Sequence, residues 1–283
     1  MAELFGARLH AAVRRHGPLC VGIDPHPSLL AGWGLGDEPA GVERFSRTVV
    51  EALADRVALL KPQSAYFERH GARGIAVLER VLADIRAAGG LVLLDAKRGD
   101  IGSTVQAYAD AYLDPAAPLG SDAVTASPYL GFESLRPLLD SSQRHGTGVF
   151  VLALTSNPEG WELQHARTAG HRSVAGTILA GAREENSGTL PWGSVGVVVG
   201  ATVDAAGEDL HVGGPLLAPG LGEQGGTPAD LGRVFGEAAG DVVPSTSRQV
   251  LRAGPGVREL RDAAARLVDE CRTFLHGTGR RGP

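Results

Sequence analysis

Eight short apolar runs punctuate the chain, each ending close to a polar residue or a glycine. They are "LCVGID" at 19–24, "VALLK" at 57–61, "GLVLLDAK" at 90–97, "DAVTAS" at 122–127, "GVFVLALTS" at 148–156, "SVGVVVG" at 194–200, "PLLAPG" at 215–220 and "DVVPSTS" at 241–247. Each has strand length and is largely apolar without alternation, which marks a strand buried on both faces. Between the runs lie helical patterns, such as 41–56 and 71–89. In the second of these Ile75, Leu78, Val81, Leu82 and Ile85 recur at three- and four-residue spacing. Strands alternating with helices predict an α/β fold with a parallel sheet. Eight such units predict a single-domain (β/α)8 TIM barrel. An open doubly wound sheet reads similarly; the eightfold count and the polar strand ends favour the barrel.

The segment 157–193 is longer than one crossover helix needs and predicts an extra helix. The tail "HGTGRRGP" at 276–283 has the composition of a flexible end. No linker divides the rest, so the expectation is one barrel domain over 1–275 and a tail over 276–283. The opening "MAELFGARLHAAVRRHG" reads as an amphipathic helix without the long apolar core of a signal peptide. No run approaches membrane-spanning length. The net charge of −5 argues against a nucleic-acid surface, which would be strongly basic. Two cysteines, Cys20 and Cys271, stand far apart with no zinc spacing, and read as reduced packed thiols of a cytoplasmic protein. Trp33, Trp161 and Trp192 read as packing residues, and His26 as solvent-exposed.

The strand ends change this picture. In "LVLLDAKRGDIGST" at 91–104 a buried strand runs into Asp95, Lys97, Arg98 and Asp100. Residues two apart on a strand share a face, so Asp95 and Lys97 project together. Asp24 ends the first run and Lys61 the second, and adjacent strand ends of a barrel converge on one mouth. Two carboxylates and two ammonium groups then alternate around one pocket, each holding its neighbours charged. Any one of these residues alone reads as a rim salt bridge; three successive strand ends delivering them read as a site. Asp100 lies past the strand, on a loop free to point elsewhere, including across a subunit boundary.

"DAKRGDIGST", with its Asp-x-Lys-x-x-Asp core, resembles the signature of the orotidine 5′-phosphate decarboxylase family. "VGIDP", "LLKPQSAYFE", "LTSNP", "APGLGEQGG" and "STSR" extend the resemblance along nearly the whole barrel, and the long 157–193 segment is similar to the family's larger bacterial branch. The resemblance implies decarboxylation of orotidine 5′-phosphate (OMP) to UMP and CO2, the last step of de novo pyrimidine nucleotide synthesis. It implies that Lys97 protonates C6 and that Asp95 sits beside the departing carboxylate. Lys61 and Asp24 would meet the ribose hydroxyls and complete the charge network. Asp100 of the partner subunit of a homodimer would touch the ribose and hold Lys97, joined by Thr104. Ser156 would bond the pyrimidine.

Loss of CO2 from C6 leaves electrons in an sp2 orbital that no π system delocalises. The sequence carries no pyridoxal or thiamine signature to act as a sink and no metal-ligand spacing, so no cofactor is expected. A fixed cation at C6 is the remaining lever.

"GLGEQG" at 220–225 matches GxGxxG, but too little chain follows for a dinucleotide fold. After a seventh barrel strand it reads as a phosphate loop, with Gly225 and Gly226 letting backbone N–H groups approach an anion. Thr227, Pro228 and Asp230 read as the start of a helix. Arg248, just past the eighth strand, is the candidate phosphate clamp. By the resemblance, Gln224 bridges phosphate and base. Two rivals remain. Sugar-phosphate decarboxylases or aldolases of the same barrel group share Asp-x-Lys-x-x-Asp but use Mg2+ with an acidic residue at the second strand, where this chain has Lys61. A non-catalytic nucleotide-binding barrel would hold UMP without turnover.

Overall fold

The computed structural model describes residues 3–222 and 225–277. Eight parallel strands form one sheet: β1 Cys20–Ile23, β2 Leu59–Pro62, β3 Leu93–Arg98, β4 Ala123–Ala126, β5 Gly148–Leu154, β6 Val195–Val199, β7 Leu216–Pro219 and β8 Val242–Thr246. All eight apolar runs are strands. Their order is β2-β1-β8-β7-β6-β5-β4-β3. Isolated bridges Leu60↔Val92 and Gln63↔Asp95 join the two end strands, so the sheet forms a nearly closed barrel.

The helices among the described residues are α1 Phe5–His16, α2 Pro27–Gly32, α3 Pro39–Leu53, α4 Ala65–Glu68, α5 Gly71–Ala87, α6 Gly102–Leu113, α7 Arg136–His145, α8 Gly160–Gln164, α9 Val174–Asn186, α10 Pro228–Phe235, α11 Arg248–Leu251 and α12 Val257–Gly277. The helical patterns at 41–56 and 71–89 are α3 and α5. The long segment 157–193 holds the crossover helix α9 and one extra short helix, α8. Helix α12 runs to Gly277, and 278–283 lies outside the described residues.

Two apolar layers hold the barrel. The outer one packs strand residues such as Val21, Leu60, Leu94, Val124, Val151 and Val197 against the helices. The inner one takes a residue from every strand: Cys20, Leu59, Leu93, Ala123, Phe150, Val198, Leu217 and Val243. Helix α1 closes this inner layer from below. Its Phe5 and Leu9 are fully buried there, and Phe5 meets Phe150 edge-on at 6.0 Å. Gly148 makes room for the plug, since a Cβ there would lie 2.3 Å from the Phe5 ring. A buried phenylalanine of this kind contributes about 3–5 kcal/mol.

The tryptophans divide. Trp33 and Trp192 are buried and donate to the Leu251 carbonyl and the Asp241 carboxylate at 2.9 and 2.7 Å. Trp161 does not pack into the core: it is 58% exposed and stacks on His165, because α8 buries none of its residues. His26 is half-buried and caps α2, accepting from the Ser28 N–H at 3.2 Å. Cys20 and Cys271 are buried free thiols, and burial pushes both up to about 12. Among the described residues no helix is long and apolar enough to cross a membrane.

Candidate active site

The inward rows of the barrel continue upward from its apolar floor by the two-residue period of a strand. Cys20 leads through Gly22 to Asp24, Leu59 to Lys61 and Gln63, and Leu93 to Asp95 and Lys97. Ala123 leads to Thr125, and Val243 to Ser245 and Ser247. Above the apolar layer these rows line a cavity of about 350 Å3 at the C-terminal mouth, with Ser156, Gly220 and Arg248 in its wall. In this fold catalytic groups sit at that mouth.

Asp95 is the hub. It is buried, and each carboxylate oxygen accepts two hydrogen bonds. Oδ2 takes Lys61 Nζ at 2.8 Å and Gln63 Nε2 at 3.0 Å; Oδ1 takes Lys97 Nζ at 2.5 Å and the Thr125 hydroxyl at 2.9 Å. Burial pushes the Asp95 carboxyl up, but the Lys61 and Lys97 ammonium groups outweigh it and hold it well below the usual carboxylate range. Burial likewise opposes the charge on Lys61; Asp95 and then Asp24 overcome it and raise its pKa above the ordinary lysine value. Asp24 Oδ1 is buried and accepts no hydrogen bond from a described residue. Lys61 and Lys97 are the two lysines of the chain; every other cation among its 27 Lys and Arg residues is an arginine. Both lysines therefore stand on one carboxylate. An ammonium proton is far more readily tuned and transferred than a guanidinium proton.

Strand alternation alone does not explain how Lys97 meets Asp95. The β3–β4 register shifts between Leu94 and Arg98, and Lys97 has a φ of +48°. The left-handed region is unusual for a residue with a Cβ and costs about 1–3 kcal/mol. The Lys97 N–H is anchored in this conformation by donating to Thr125 Oγ1 at 2.9 Å. Gln63 and Thr125 were not among the sequence candidates, although each continues an inward row by two residues.

Other candidates fall around this hub. Ser156 follows β5 on a loop braced by α8, where Gln164 accepts from the Thr155 N–H at 2.9 Å and donates to its hydroxyl at 2.7 Å. Asp100 is half-buried and accepts from the Ile101 N–H at 2.8 Å; Thr104 is exposed on α6. Neither lines the cavity. Gly225 and Gly226 lie in a loop that folds back after β7: the Gly226 N–H donates to the Gly220 carbonyl at 3.1 Å, and Gly225 has a φ of +83°. Gln224 lies outside the described residues. Thr227 precedes α10, and Asp230 accepts from its N–H at 2.9 Å and its hydroxyl at 2.7 Å, as the Thr-Pro-x-Asp pattern implies. Arg248 opens α11 at the cavity wall, on the side of Gly220 and Leu221.

The sequence model of the orotidine 5′-phosphate decarboxylase / HUMPS family matches residues 17–263. The chain belongs to that family. A Streptomyces coelicolor relative named orotidine 5′-phosphate decarboxylase is 63% identical over 274 residues, covering 96% of this chain and 99% of the relative. A crystal structure of a Streptomyces avermitilis protein superposes with a TM-score of 0.95 at 60% identity, covering 97% of each chain. The Leishmania donovani OMP decarboxylase structure superposes with a TM-score of 0.78 at 31% identity, covering 96% of this chain and 99% of that one.

Proposed function

We propose that this chain is an orotidine 5′-phosphate decarboxylase, a carboxy-lyase converting OMP to UMP and CO2 in pyrimidine nucleotide synthesis. The observation that carries the reading is the buried Asp95 carboxylate bearing Lys61 on one oxygen and Lys97 on the other. Among the family's chemistries, a lysine at the second strand suits direct charge stabilisation, whereas the metal-using relatives need an acid there.

The orotate ring of OMP lies over this hub with its carboxylate toward Asp95, and the ribose 5′-phosphate lies toward Arg248, Gly220 and Gly226. As the C6–carboxylate bond breaks, CO2 leaves and the bonding pair stays on C6. The Lys97 ammonium, about half exposed to the cavity, faces that charge and passes a proton to C6; the resulting amine regains a proton from solvent. Lys61 cannot serve equally, because it is buried and holds Asp95 ionised from below. Asp24, whose Oδ1 has no donor among the described residues, accepts from a ribose hydroxyl. Ser156 and Gln224 bond the base, and Arg248 clamps the phosphate.

The working unit is a homodimer in the cytoplasm. Asp100 and Thr104 do not line the cavity of their own chain, and Ile101 on the same loop, with Tyr129 and Leu130 in the segment after β4, is exposed. Exposed apolar side chains on these strand-end loops suit a contact with a second copy, which would carry Asp100 and Thr104 into the neighbour's site.

The test is the absorbance change of OMP with purified protein, with and without EDTA. Equal loss of OMP in both supports the reading. Dependence on Mg2+ supports the sugar-phosphate chemistry, and UMP binding without turnover supports the non-catalytic barrel.

A further inference from the structure

Thr125 stands at the one point where the proton donor's backbone and its carboxylate partner meet. Its side chain is buried, and its single hydroxyl is used twice: it accepts the Lys97 N–H and donates to Asp95 Oδ1, both at 2.9 Å. Lys97 needs such a hold. At a φ of +48° its backbone rests in a conformation it would leave if unanchored, and regular β3–β4 pairing resumes only at Arg98. The same Asp95 oxygen also receives the Lys97 ammonium, so one hydroxyl ties the start and the end of the Lys97 residue to one frame.

We infer that Thr125 is a positioning residue for the proton donor, its hydroxyl fixing the Lys97 backbone and the Asp95 carboxylate relative to each other. The inference rests on the decarboxylase reading above. Thr125 lines the cavity, but its hydroxyl is already engaged by the Lys97 N–H and Asp95 Oδ1, so its proposed role is through Lys97. A threonine serving only to fill β4 would use its methyl group and shape. A positioning threonine uses its hydroxyl, and the two are separable by substitution.

Thr125→Val keeps the shape, removes the acceptor of the Lys97 N–H and leaves Asp95 Oδ1 one donor short. Misplacing a reacting group by a fraction of its reach lowers kcat by about ten- to a hundredfold, with KM held within about threefold. Thr125→Ser keeps the hydroxyl and restores kcat to within about threefold of the parent. If Thr125→Val fails to fold, Thr125→Ala removes the same hydroxyl and is read in the same way.

A second measurement is independent of turnover. Because the chain has two lysines, 15N-lysine labelling gives two backbone amide signals. Loss of the Thr125 acceptor should speed solvent exchange of the Lys97 amide about tenfold or more, leave the Lys61 amide unchanged, and be reversed in Thr125→Ser. Unchanged kcat in the hydroxyl-free variants, equal losses in the serine and valine variants, or an unchanged Lys97 amide would each overturn the inference. Should the parent protein not decarboxylate OMP, the functional reading fails, and the amide comparison alone decides whether Thr125 holds Lys97.

Discussion

Asp95→Asn removes one charge and almost no volume, and so isolates what the carboxylate does for the fold. Lys61 is 7% exposed and has Asp95 at 2.8 Å as its direct partner. Without that charge the buried ammonium keeps only a neutral amide oxygen and the more distant Asp24. Breaking a buried pair by removing one partner costs about 3–5 kcal/mol. At roughly 2–4 °C per kcal/mol for a large domain, the midpoint should fall by about 6–20 °C. Urea unfolding with linear extrapolation, alongside a thermal scan, measures both. The pH dependence follows from the direction of each shift. Asp95 is held below its unfolded value of about 3.9, so its contribution is fully present above that pH and fades as pH falls through the lower folded value. Lys61 is held above its unfolded value of about 10.4, so its contribution is present below that pH and fades as pH rises through the higher folded value. The stability gap between the parent and Asp95→Asn should therefore be flat from about pH 5 to 9 and narrow in stronger acid. A variant as stable as the parent at pH 7 would refute the reasoning and show that the site is strained by its charges.

Lys97→Ala should abolish turnover while the protein stays folded, because Asp95 keeps Lys61, Gln63 and Thr125 as donors; near-normal turnover would reject the proton-donor role. Mixing Lys97→Ala with Asp100→Ala subunits should return about a quarter of parental activity after statistical exchange, since half the dimers are mixed and each has one intact site; no recovery after verified exchange would argue against a shared site. Arg248→Gln should weaken UMP binding about tenfold or more by calorimetry and leave uridine binding unchanged, because the proposed clamp is a charge-assisted bond to phosphate. Phe5→Ala should cost about 3–5 kcal/mol in urea unfolding yet keep kcat in the folded protein, since the plug sits at the opposite mouth from the chemistry.

The strands were legible because each is covered on both faces and so is written as an uninterrupted apolar run. The hub was legible in part for the same reason: Asp24, Lys61 and Asp95 stand where those runs stop. Gln63 and Thr125 continue the same period of two, but neither carries a charge that marks it apart from ordinary strand-end polarity. The left-handed backbone at Lys97 was not legible, since nothing in Asp-Ala-Lys-Arg marks a positive φ as a glycine would. The plug formed by α1 was hidden too: its amphipathic pattern shows that one face is buried, and the Gly148 that receives Phe5 lies far along the chain. Trp161 misled because tryptophan is usually buried, while α8 is too short to bury a face.

The central claim is that an ammonium group held on Asp95 performs the decarboxylation unaided by a metal. It is tested most directly by incubating EDTA-treated parent and Lys97→Ala proteins with OMP and quantifying UMP and CO2. The parent should release both in equal amounts, and Lys97→Ala should release neither while still binding UMP. Product formation by Lys97→Ala at a rate near the parent's, or a parent that is silent until Mg2+ is restored, would contradict it.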